Sequence, residues 1–330
     1  MIKVNRSRLI DVLDFVSKAV KEVPGLPQSK DVLFTGTHVF GFGDEYMAAM
    51  EFSTPFVGST PLFPFRELVN RMSVDELELA VEGGGLIIRG GTTKANLPFI
   101  GDILVPIPEI PAEGWVEAPP KLGEVLQFVT PLTAKDYSIP VQAFVRLAPD
   151  FVEASHRVAA VRYKLDSGMN HLVSRRTATL IADMSPEYWL ARGPFLFFKS
   201  SDKLLIARHS SLDPVNLEGI FNVDGTRVVF PEGLKDSLNR VAVIEEGTPL
   251  YATLYLEPGQ PLKVVGMSTL GRVEESLPWD YTEERKVVKA EAKLLADLVD
   301  SAAGEVEISS KLILFRRESW ITAVAVAVEG

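Results

Sequence analysis

The residue types that most often carry chemistry form no recognisable constellation in this sequence. The histidines lie far apart, at His38, His156, His171 and His209, so no two have the local spacing of a metal-binding pair. Cysteine is absent, which excludes a thiolate zinc site, a cysteine nucleophile and a disulfide framework. Acidic pairs such as Asp75-Glu76 are typical of solvated surface. We therefore predict no catalytic residue, no metal site and no cofactor.

Glycines are concentrated between residues 83 and 91, and loops that bind phosphate are rich in glycine. This stretch lacks the G-x-x-x-x-G-K-S/T order of such a loop. It also joins one predicted strand to the next, so no helix N-terminus is available to hold an anion. The glycines therefore predict hairpin turns.

One predicted turn in the middle of the chain carries two polar residues that could bind a ligand. Between Phe151 and Arg162 a run of β-branched and aromatic residues predicts two short strands, with His156 and Arg157 at the turn between them. Taken alone, this segment predicts an ordinary hairpin whose polar side chains are solvated. A role for the turn depends on the elements that position it.

Those elements alternate one helix with several strands. Apolar residues at helical spacing, together with Ser and Pro at helix-starting positions, predict helices at 7–20, 64–72, 121–134, 185–192, 231–241 and 290–302. The run 176–182 is predicted as a strand. Prolines crowd the stretch from 106 to 120, which predicts an extended connector because proline restricts the backbone and lacks an amide donor.

The pattern repeats along the chain. The first helix of each cycle begins near residues 7, 121 and 232, a period of about 110 residues, and each cycle holds two units of a helix followed by strands. We predict an α+β protein of three tandem domains, 1–117, 118–224 and 225–330, each with two helices on antiparallel sheets. This architecture alone is compatible with many functions.

Charge and hydropathy narrow the class of protein. A net charge of −10 argues against coating nucleic acid by bulk attraction, but it allows a locally basic face. Lys3 and Arg6 stand where a signal peptide has its apolar stretch, and no run of about 18 apolar residues occurs. We expect a soluble, cytoplasmic protein with no membrane partner.

Over essentially its full length the chain resembles the bacterial β sliding clamp, the processivity subunit of DNA polymerase III. The stretch 154–159 is similar to the Asp-Gly-His-Arg-Leu-Ala signature of that family, with Ala154, Ser155 and Val158 substituted. In the first cycle the resemblance rests on the order and spacing of 9–20, 44–47, 81–89 and Leu97-Pro98. The short chain and partial matches favour a diverged, virus-encoded form, acting in a bacterium or an infected bacterial host.

The resemblance implies a homodimeric ring, each chain forming half of it, that encircles duplex DNA without sequence preference and tethers a polymerase. Geometry agrees with a dimer, because twelve helices about 10 Å across, set side by side, leave a bore of about 28 Å, whereas six leave about 9 Å. The implied dimer surfaces are an edge strand and the end of the fifth predicted helix, with residues Thr92, Lys94, Leu97, Val243 and Ile244.

Two further surfaces are implied by the resemblance. Duplex DNA is expected to contact basic residues on the polar faces of the helices, namely Arg6, Arg8, Lys18, Lys21, Arg66, Arg71, Lys121, Lys235, Arg240, Lys289 and Lys293. An apolar groove between the second and third domains is expected to bind short linear peptides of the polymerase and the clamp loader, with walls formed by Val141, His156, Arg157, Val158, Phe221, Val223, Val326 and Val328. Because the family's Met-Pro-Met-Arg ending is missing, we expect an altered peptide preference.

Two alternative hypotheses come from other classes of protein. A β-rich carbohydrate-binding or viral structural protein would have no basic helix faces. A trimeric ring built from two-domain chains would have four helices in each chain, whereas six are predicted here.

Overall fold

The computed structural model describes residues 1–135, 138–244, 249–301 and 304–328. The chain divides into two compact units. Unit 1 comprises Met1–Phe128 and His171–Ser211, and unit 2 comprises Val129–Asn170 and Leu212–Gly330.

Helices and strands alternate along the whole chain. The helices are α1 Arg6–Ser17, α2 Leu62–Arg71, α3 Leu122–Val129, α4 Arg175–Met184, α5 Glu218–Phe221, α6 Leu234–Ala242 and α7 Ala292–Ser301, with short 3-10 helices at Thr130–Leu132 and Pro140–Ala143. The strands before α4 are β1 Ile2–Asn5, β2 Asp31–Thr35, β3 His38–Phe42, β4 Tyr46–Glu51, β5 Val57–Pro61, β6 Glu76–Glu82, β7 Gly85–Gly90, β8 Thr93–Pro98, β9 Val116–Glu117, β10 Phe144–Leu147, β11 Phe151–His156, β12 Ala159–Lys164 and β13 His171–Ser174. The later strands are β14 Tyr188–Arg192, β15 Phe195–Ser200, β16 Lys203–Arg208, β17 Thr226–Val229, β18 Tyr251–Leu256, β19 Leu262–Ser268, β20 Gly271–Leu277, β21 Lys286–Glu291, β22 Glu305–Ile308, β23 Leu312–Arg316, β24 Trp320–Ala325 and β25 Ala327–Val328.

Unit 1 contains two antiparallel sheets. The first has the order β1-β6-β7-β8, and the second has the order β5-β2-β3-β4-β16-β15-β14-β9. Helix α1 is capped by Asn5, whose side chain accepts a hydrogen bond from the Arg8 amide at 3.1 Å. Its Leu9, Leu13 and Val16 are fully buried, so the apolar stripe seen in the sequence packs into the core.

Unit 2 is built in the same way. Strands β10-β11-β12-β24-β23-β22-β17 are consecutive neighbours in one antiparallel sheet, and the order β20-β19-β18-β21-β25 forms another. Side chains from α6, α7 and both sheets form one apolar core, in which Leu238, Leu254 and Leu295 are fully buried. The predicted α+β class, with helices packed on antiparallel sheets, is therefore confirmed.

The helix predicted at 185–192 is wrong. Residues 188–192 form strand β14, and the helix is α4, which covers the run 176–182 predicted as a strand. Ser174 caps α4 by accepting from the Thr177 amide at 3.2 Å, and Ser185 ends it in the left-handed conformation, with a φ of 47°. Pro186 therefore follows a helix end rather than starting a helix, because proline is also common just after a C-cap.

The other predicted helices differ only at their ends. Helix α1 starts one residue early and ends at Ser17, and α3 passes into a 3-10 turn that contains Pro131. Helix α6 begins at Leu234 rather than at Pro231, because Gly233 at its N-cap has a positive φ of 82°. The short helix α5 was not predicted, since its four residues give no periodic signal.

Helices approach their sheets closely at two glycines in equivalent places. A Cβ on Gly41 in β3 would lie 2.1 Å from the Val16 carbonyl oxygen of α1. A Cβ on Gly266 in β19 would lie 2.3 Å from Cγ1 of Val241 in α6. Both helices therefore need a residue without a side chain beneath them.

Gly41→Ala is expected to lower the free energy of unfolding by about 1–3 kcal/mol, because the backbone of α1 must move to admit the methyl group. Denaturant unfolding of the purified chain measures this change. Gly101→Ala is the control, since nothing lies within 4 Å of its Cβ position. A Gly41→Ala variant as stable as the control would show that α1 does not press on β3.

Candidate partner groove and nucleic-acid interface

The His-Arg turn lies at the end of a regular hairpin in unit 2. Strands β11 and β12 are paired up to His156 and Ala159, so Arg157 and Val158 form the two-residue turn. Nδ1 of His156 accepts a hydrogen bond from the Val158 amide at 3.3 Å. Arg157 is exposed, whereas His156 and Val158 are half-buried. The imidazole therefore holds the turn, and the guanidinium extends into solvent.

The last strands of the chain lie beside this turn. The Val158 carbonyl oxygen accepts from the Ala325 amide at 2.8 Å, and the Lys311 carbonyl oxygen accepts from the Val326 amide at 2.8 Å. The side chain of Val326 packs against the core that contains Val324. The backbone around Val326 is thus next to the turn, while its side chain points to the helix-facing side of the sheet.

The opposite side of the same sheet carries a separate apolar cluster. Phe221 is buried there with Ala160, Leu217, Leu314 and Ala323, and Val223 packs against them. Because side chains alternate along a strand, Ala323 faces this cluster and its neighbour Val324 faces the other core. The structure brings Phe221 and Val223 together but places them across the sheet from Val326.

The two remaining groove candidates lie at the edges of this region. Val141 is half-buried in the 3-10 helix Pro140–Ala143. The backbone of Val328 pairs with Val288 in β21. The set predicted from sequence is therefore distributed over both faces and one end of unit 2, and its role as a single groove stays a prediction.

A buried carboxylate holds the apolar cluster to the hairpin. Glu153, 2% exposed, bonds to Arg146 at 2.9 Å and to Nε and Nη2 of Arg162 at 3.0 and 2.9 Å. Arg162 also pairs with Glu218 of α5 at 2.7 Å and lies over the Phe221 ring, 5.1 Å from its centroid. One guanidinium therefore connects β11, β12 and α5.

The charge of Arg162 is secured by its neighbours. Burial acts to lower the pKa of Arg162, but the hydrogen bonds to Glu153 and Glu218 outweigh it and raise the pKa above its ordinary value. This network was not predicted from the sequence, because Glu and Arg residues in strands are normally expected to be exposed.

The basic residues of α1 and α2 are held by contacts within unit 1. Arg6 donates to the carbonyl oxygens of Val69 and Asn70 at 2.9 and 2.6 Å, which ties the start of α1 to α2. Arg8 forms an ion pair with Asp202 and donates to the Glu51 carbonyl oxygen at 2.8 Å.

Most of the other predicted DNA contacts carry a carboxylate partner. The pairs are Lys18–Asp183 at 3.1 Å, Lys21–Asp44 at 2.8 Å, Arg66–Asp14 at 2.5 Å, Arg71–Glu67 at 2.6 Å and Arg240–Glu275 at 2.5 Å. The hydrogen bond to Glu275 raises the pKa of Arg240. These cations are therefore neutralised locally by exposed pairs, which are individually weak.

The remaining basic candidates differ in position. Lys121, just before α3, and Lys293, in α7, are exposed, and Lys235 in α6 is half-buried. Lys289 is in strand β21, between the buried residues Val288 and Ala290. Its side chain therefore faces away from the helices of unit 2 and does not belong to a helix face.

Sequence reasoning missed two basic residues. Arg175 and Arg176 are in the first turn of α4, where Arg176 is exposed and lies 3.7 Å from Asp44. The run 176–182 was predicted as a strand, so the helical position of these two arginines was not recognised. The sequence signal for this helix was Ser174, an N-cap residue two positions before Arg176.

The predicted dimer residues lie at a sheet edge and a helix end. Lys94 and Leu97 are in β8, the edge strand of its sheet, and Thr92 is in the turn before it. In unit 2, Val243 follows α6 and is 78% exposed, whereas Ile244 packs against the core. Both segments present surface that could be covered by another chain.

Two further exposed apolar residues of unit 2 were not recognised in the sequence. Met267 in β19 and Leu270 in the following turn are 71% and 64% exposed. They precede β20, the edge strand of the second sheet in unit 2. Exposed Met and Leu give no local signal, because their exposure depends on which strand ends the sheet.

Comparison with solved structures identifies the fold. The DNA polymerase sliding clamp from Bacillus subtilis matches with a TM-score of 0.87 and 15% identity, over 99% of both chains. A pol III beta structure from Caulobacter crescentus gives 0.85 and 14%, over 98% of both. The DNA polymerase III beta subunit from Thermotoga maritima gives 0.83 and 16%, over 100% of this chain and 99% of that one.

The chain has the fold of a bacterial sliding clamp. No family model matches the sequence. No curated protein matches it either. The similarity therefore lies in the fold, because at 14 to 16% sequence identity most side chains differ between this chain and the solved clamps.

Metal-binding groups and membrane-spanning helices are two features that the described residues of this chain do not show. Among these residues, no group of three or more His, Asp or Glu side chains could hold a metal ion. In the same parts of the chain, no helix is long and apolar enough to cross a membrane.

Glu153→Ala is expected to lower the free energy of unfolding by about 3 kcal/mol, because two largely buried guanidinium groups lose their shared carboxylate. Chemical denaturation followed by tryptophan fluorescence measures the loss. The matched control is Glu318→Ala, an exposed carboxylate in the same unit, which should change stability by less than about 0.5 kcal/mol. Equal stability of the two variants would contradict a structural role for Glu153.

Proposed function

We propose that this protein is a DNA sliding clamp, a non-catalytic homodimeric ring that encircles duplex DNA and tethers a polymerase. The observation that carries the proposal is the match of fold to bacterial clamps over nearly the full length of both chains. A β-rich carbohydrate-binding or viral structural protein has no need for basic helix faces, which this chain has on α1, α2 and α4. The site of action is the cytoplasm of a bacterium or of an infected bacterial host.

The pairing of strands supports three domains rather than two. The chain runs through repeats of one strand, one helix and three strands, and the first strand of a repeat joins the sheet of its partner repeat. Thus β1 pairs with β6 and β5 with β2, β9 pairs with β14, and β17 pairs with β22 and β21 with β18. This exchange groups the repeats in twos and supports three domains close to 1–117, 118–224 and 225–330, although β9 at Val116–Glu117 pairs with a strand of the second.

A head-to-tail contact of two chains would close the ring. Strands β8 and β20 are both sheet edges, and pairing them would satisfy their free backbone groups. Strand β8 carries Lys94, whereas β20 carries Glu274 and Glu275 with one Arg272, so the two edges have net charges of opposite sign. Met267 pairs with Arg272 of β20, Leu270 directly precedes that strand, and both are exposed. Together with Val243, exposed at the end of α6, they would be covered by the partner.

Light scattering is expected to give a particle of about 73 kDa, twice the 36.3 kDa of one chain. Val243→Glu combined with Met267→Glu should shift it to the monomer mass, because two carboxylates would be buried in an apolar contact. Val229→Glu, at another exposed valine of unit 2, is the control and should remain dimeric. A wild-type chain that is monomeric at micromolar concentration would overturn the proposed ring.

Phosphates of the encircled duplex would contact the basic helix faces. Such contacts carry no sequence information and weaken steeply with salt. The proposed contacts are the predicted basic residues of α1, α2, α6 and α7 with Lys121, extended by Arg175 and Arg176 and without Lys289. Since most of these cations already pair with carboxylates, each contact replaces one weak partner with another.

Reversing Arg71, Lys121, Arg176 and Lys293 to Glu should reduce retention on nicked circular DNA about tenfold or more at low salt, because four phosphate contacts become repulsive. Retention is measured by co-elution of protein with the DNA circle. The matched control reverses Lys30, Lys164, Arg192 and Arg208, exposed cations outside the helices, for the same change in net charge.

Cutting the DNA circle into a linear duplex distinguishes retention by encirclement from retention by binding affinity. A ring that encircles DNA should leave linear DNA but stay on the circle after a high-salt wash. If the helix-face variant and its control are retained equally, the basic helix faces do not contact DNA. Equal loss from circular and linear DNA would contradict encirclement.

We further propose that peptides of the polymerase and of a clamp loader bind at the end of unit 2 where the His156-Arg157 turn meets the last strands. The hydrogen bonds from Ala325 and Val326 to the two neighbouring turns support this place, because they form a fixed surface from three separate segments. Such a surface binds an extended peptide through a few apolar anchors, with weak to micromolar affinity.

A further inference from the structure

Three segments of unit 2 meet at the end of the sheet that carries the His-Arg turn. Residues Arg157 and Val158 form the turn between β11 and β12, and Lys311 lies in the turn between β22 and β23. Strand β24 runs between them, and its end is bonded to both turns through Ala325 and Val326. The two turns are therefore on either side of one strand, about 10 Å apart, or two strand spacings.

Both turns present an exposed cation. Arg157 and Lys311 are exposed, and among the described residues no Asp or Glu lies within ion-pair distance of either side chain. This differs from the helix faces, where most cations are paired. Half-buried Val158 lies beside Arg157 and supplies apolar surface, and the backbone of Val326 runs between the two turns.

The turns are held rigidly by their own hydrogen bonds. Ser309 Oγ accepts from the amides of Lys311 and Leu312 at 3.2 and 3.0 Å and donates to the Leu312 carbonyl oxygen at 3.1 Å. His156 fixes the other turn through the Val158 amide. A ligand that pairs with these cations therefore meets a backbone that is already ordered, which reduces the entropy lost on binding.

We propose that Arg157 and Lys311 form a basic rim that selects partner peptides carrying carboxylates beside their apolar anchors. The inference rests on the proposed peptide groove and names the class of peptide that it takes. The separation of the turns equals about three extended residues, so two carboxylates at roughly that spacing can pair with both cations. Exposed charges of this kind tune encounter rate and partner choice more than total affinity.

The test begins with selection of short random peptides displayed on phage against the wild-type dimer. The tightest peptide is then synthesised with a fluorescent label and used as the probe, together with a second version in which its Asp and Glu are replaced by Asn and Gln. Affinities are measured by fluorescence anisotropy at low and high salt. We expect selected peptides to be acidic, and the amide version to bind on the order of tenfold more weakly at low salt.

Two variants test whether the basic rim causes the difference in affinity between the acidic probe and its amide version. Arg157→Glu with Lys311→Glu should weaken binding of the acidic probe on the order of tenfold and leave the amide version unchanged. Lys164→Glu is the matched control, because it is an exposed cation at the opposite end of the same hairpin. Dimer mass and unfolding temperature of both variants should equal those of the wild type.

The possible results distinguish failure of the basic rim from failure of the proposed peptide groove. If no selected peptide loses binding on Val158→Asp with Val326→Asp in an intact dimer, the proposed groove fails and the rim with it. If the peptides depend on Val158 and Val326 but are neutral or basic, or bind equally to the rim variant and the Lys164→Glu control, the groove stands and the basic rim is wrong.

Discussion

Pairing between strands that are distant in sequence is the constraint on which the rest of the structure depends. In unit 1, β4 pairs with β16, and in unit 2, β12 pairs with β24. Each of these strands ends a repeat and would otherwise expose a row of unpaired amides and carbonyls. Joining the edges removes that cost and converts short sheets into long ones. The continuous faces that result must then be covered with apolar side chains.

The connectors between repeats supply that cover. In unit 1, Ile103, Ile107, Ile110 and Trp115 of the proline-rich stretch pack on the sheet that contains Phe197. In unit 2, α5 performs the same task with Leu217 and Phe221. Proline cannot donate to a strand ladder, so such a connector lies over a sheet rather than joining it. Arg162 then pins α5 through Glu218, which explains why a charged residue occurs beneath an apolar covering.

Local patterns were sufficient to predict the repeat and the class of fold. The spacing of Leu9, Leu13 and Val16 reports directly which side of α1 is buried. The pattern failed at α4, because Ser185-Pro186 marks a helix end as well as it marks a helix start. Only the left-handed backbone of Ser185 decides between the two, and this conformation is not encoded in the residue type.

Features set by distant pairing could not be predicted in the same way. Lys289 looks like a helix-face cation in sequence, yet its strand neighbours Val288 and Ala290 are buried and turn it to the other side. Glu153 is buried only because Arg146 and Arg162 stand beside it in adjacent strands. The turn at His156 and Arg157 was identified from sequence, whereas the importance of Lys311 depends on the end of β24 lying between the two turns.

The distribution of charge agrees with a clamp that must hold DNA without stopping on it. On α2 and α6, and at Lys18 directly after α1, cations are paired with carboxylates at 2.5 to 3.1 Å. An exposed pair of this type contributes at most about 1 kcal/mol, so exchanging the carboxylate for a phosphate changes the free energy little in either direction. A surface of unpaired cations would bind each phosphate more strongly and would resist translation along the duplex. In the proposed function, encirclement retains the ring on DNA and the paired cations keep individual phosphate contacts weak. The rim cations Arg157 and Lys311 pair with no carboxylate of the described residues, and they are proposed to recognise a partner peptide.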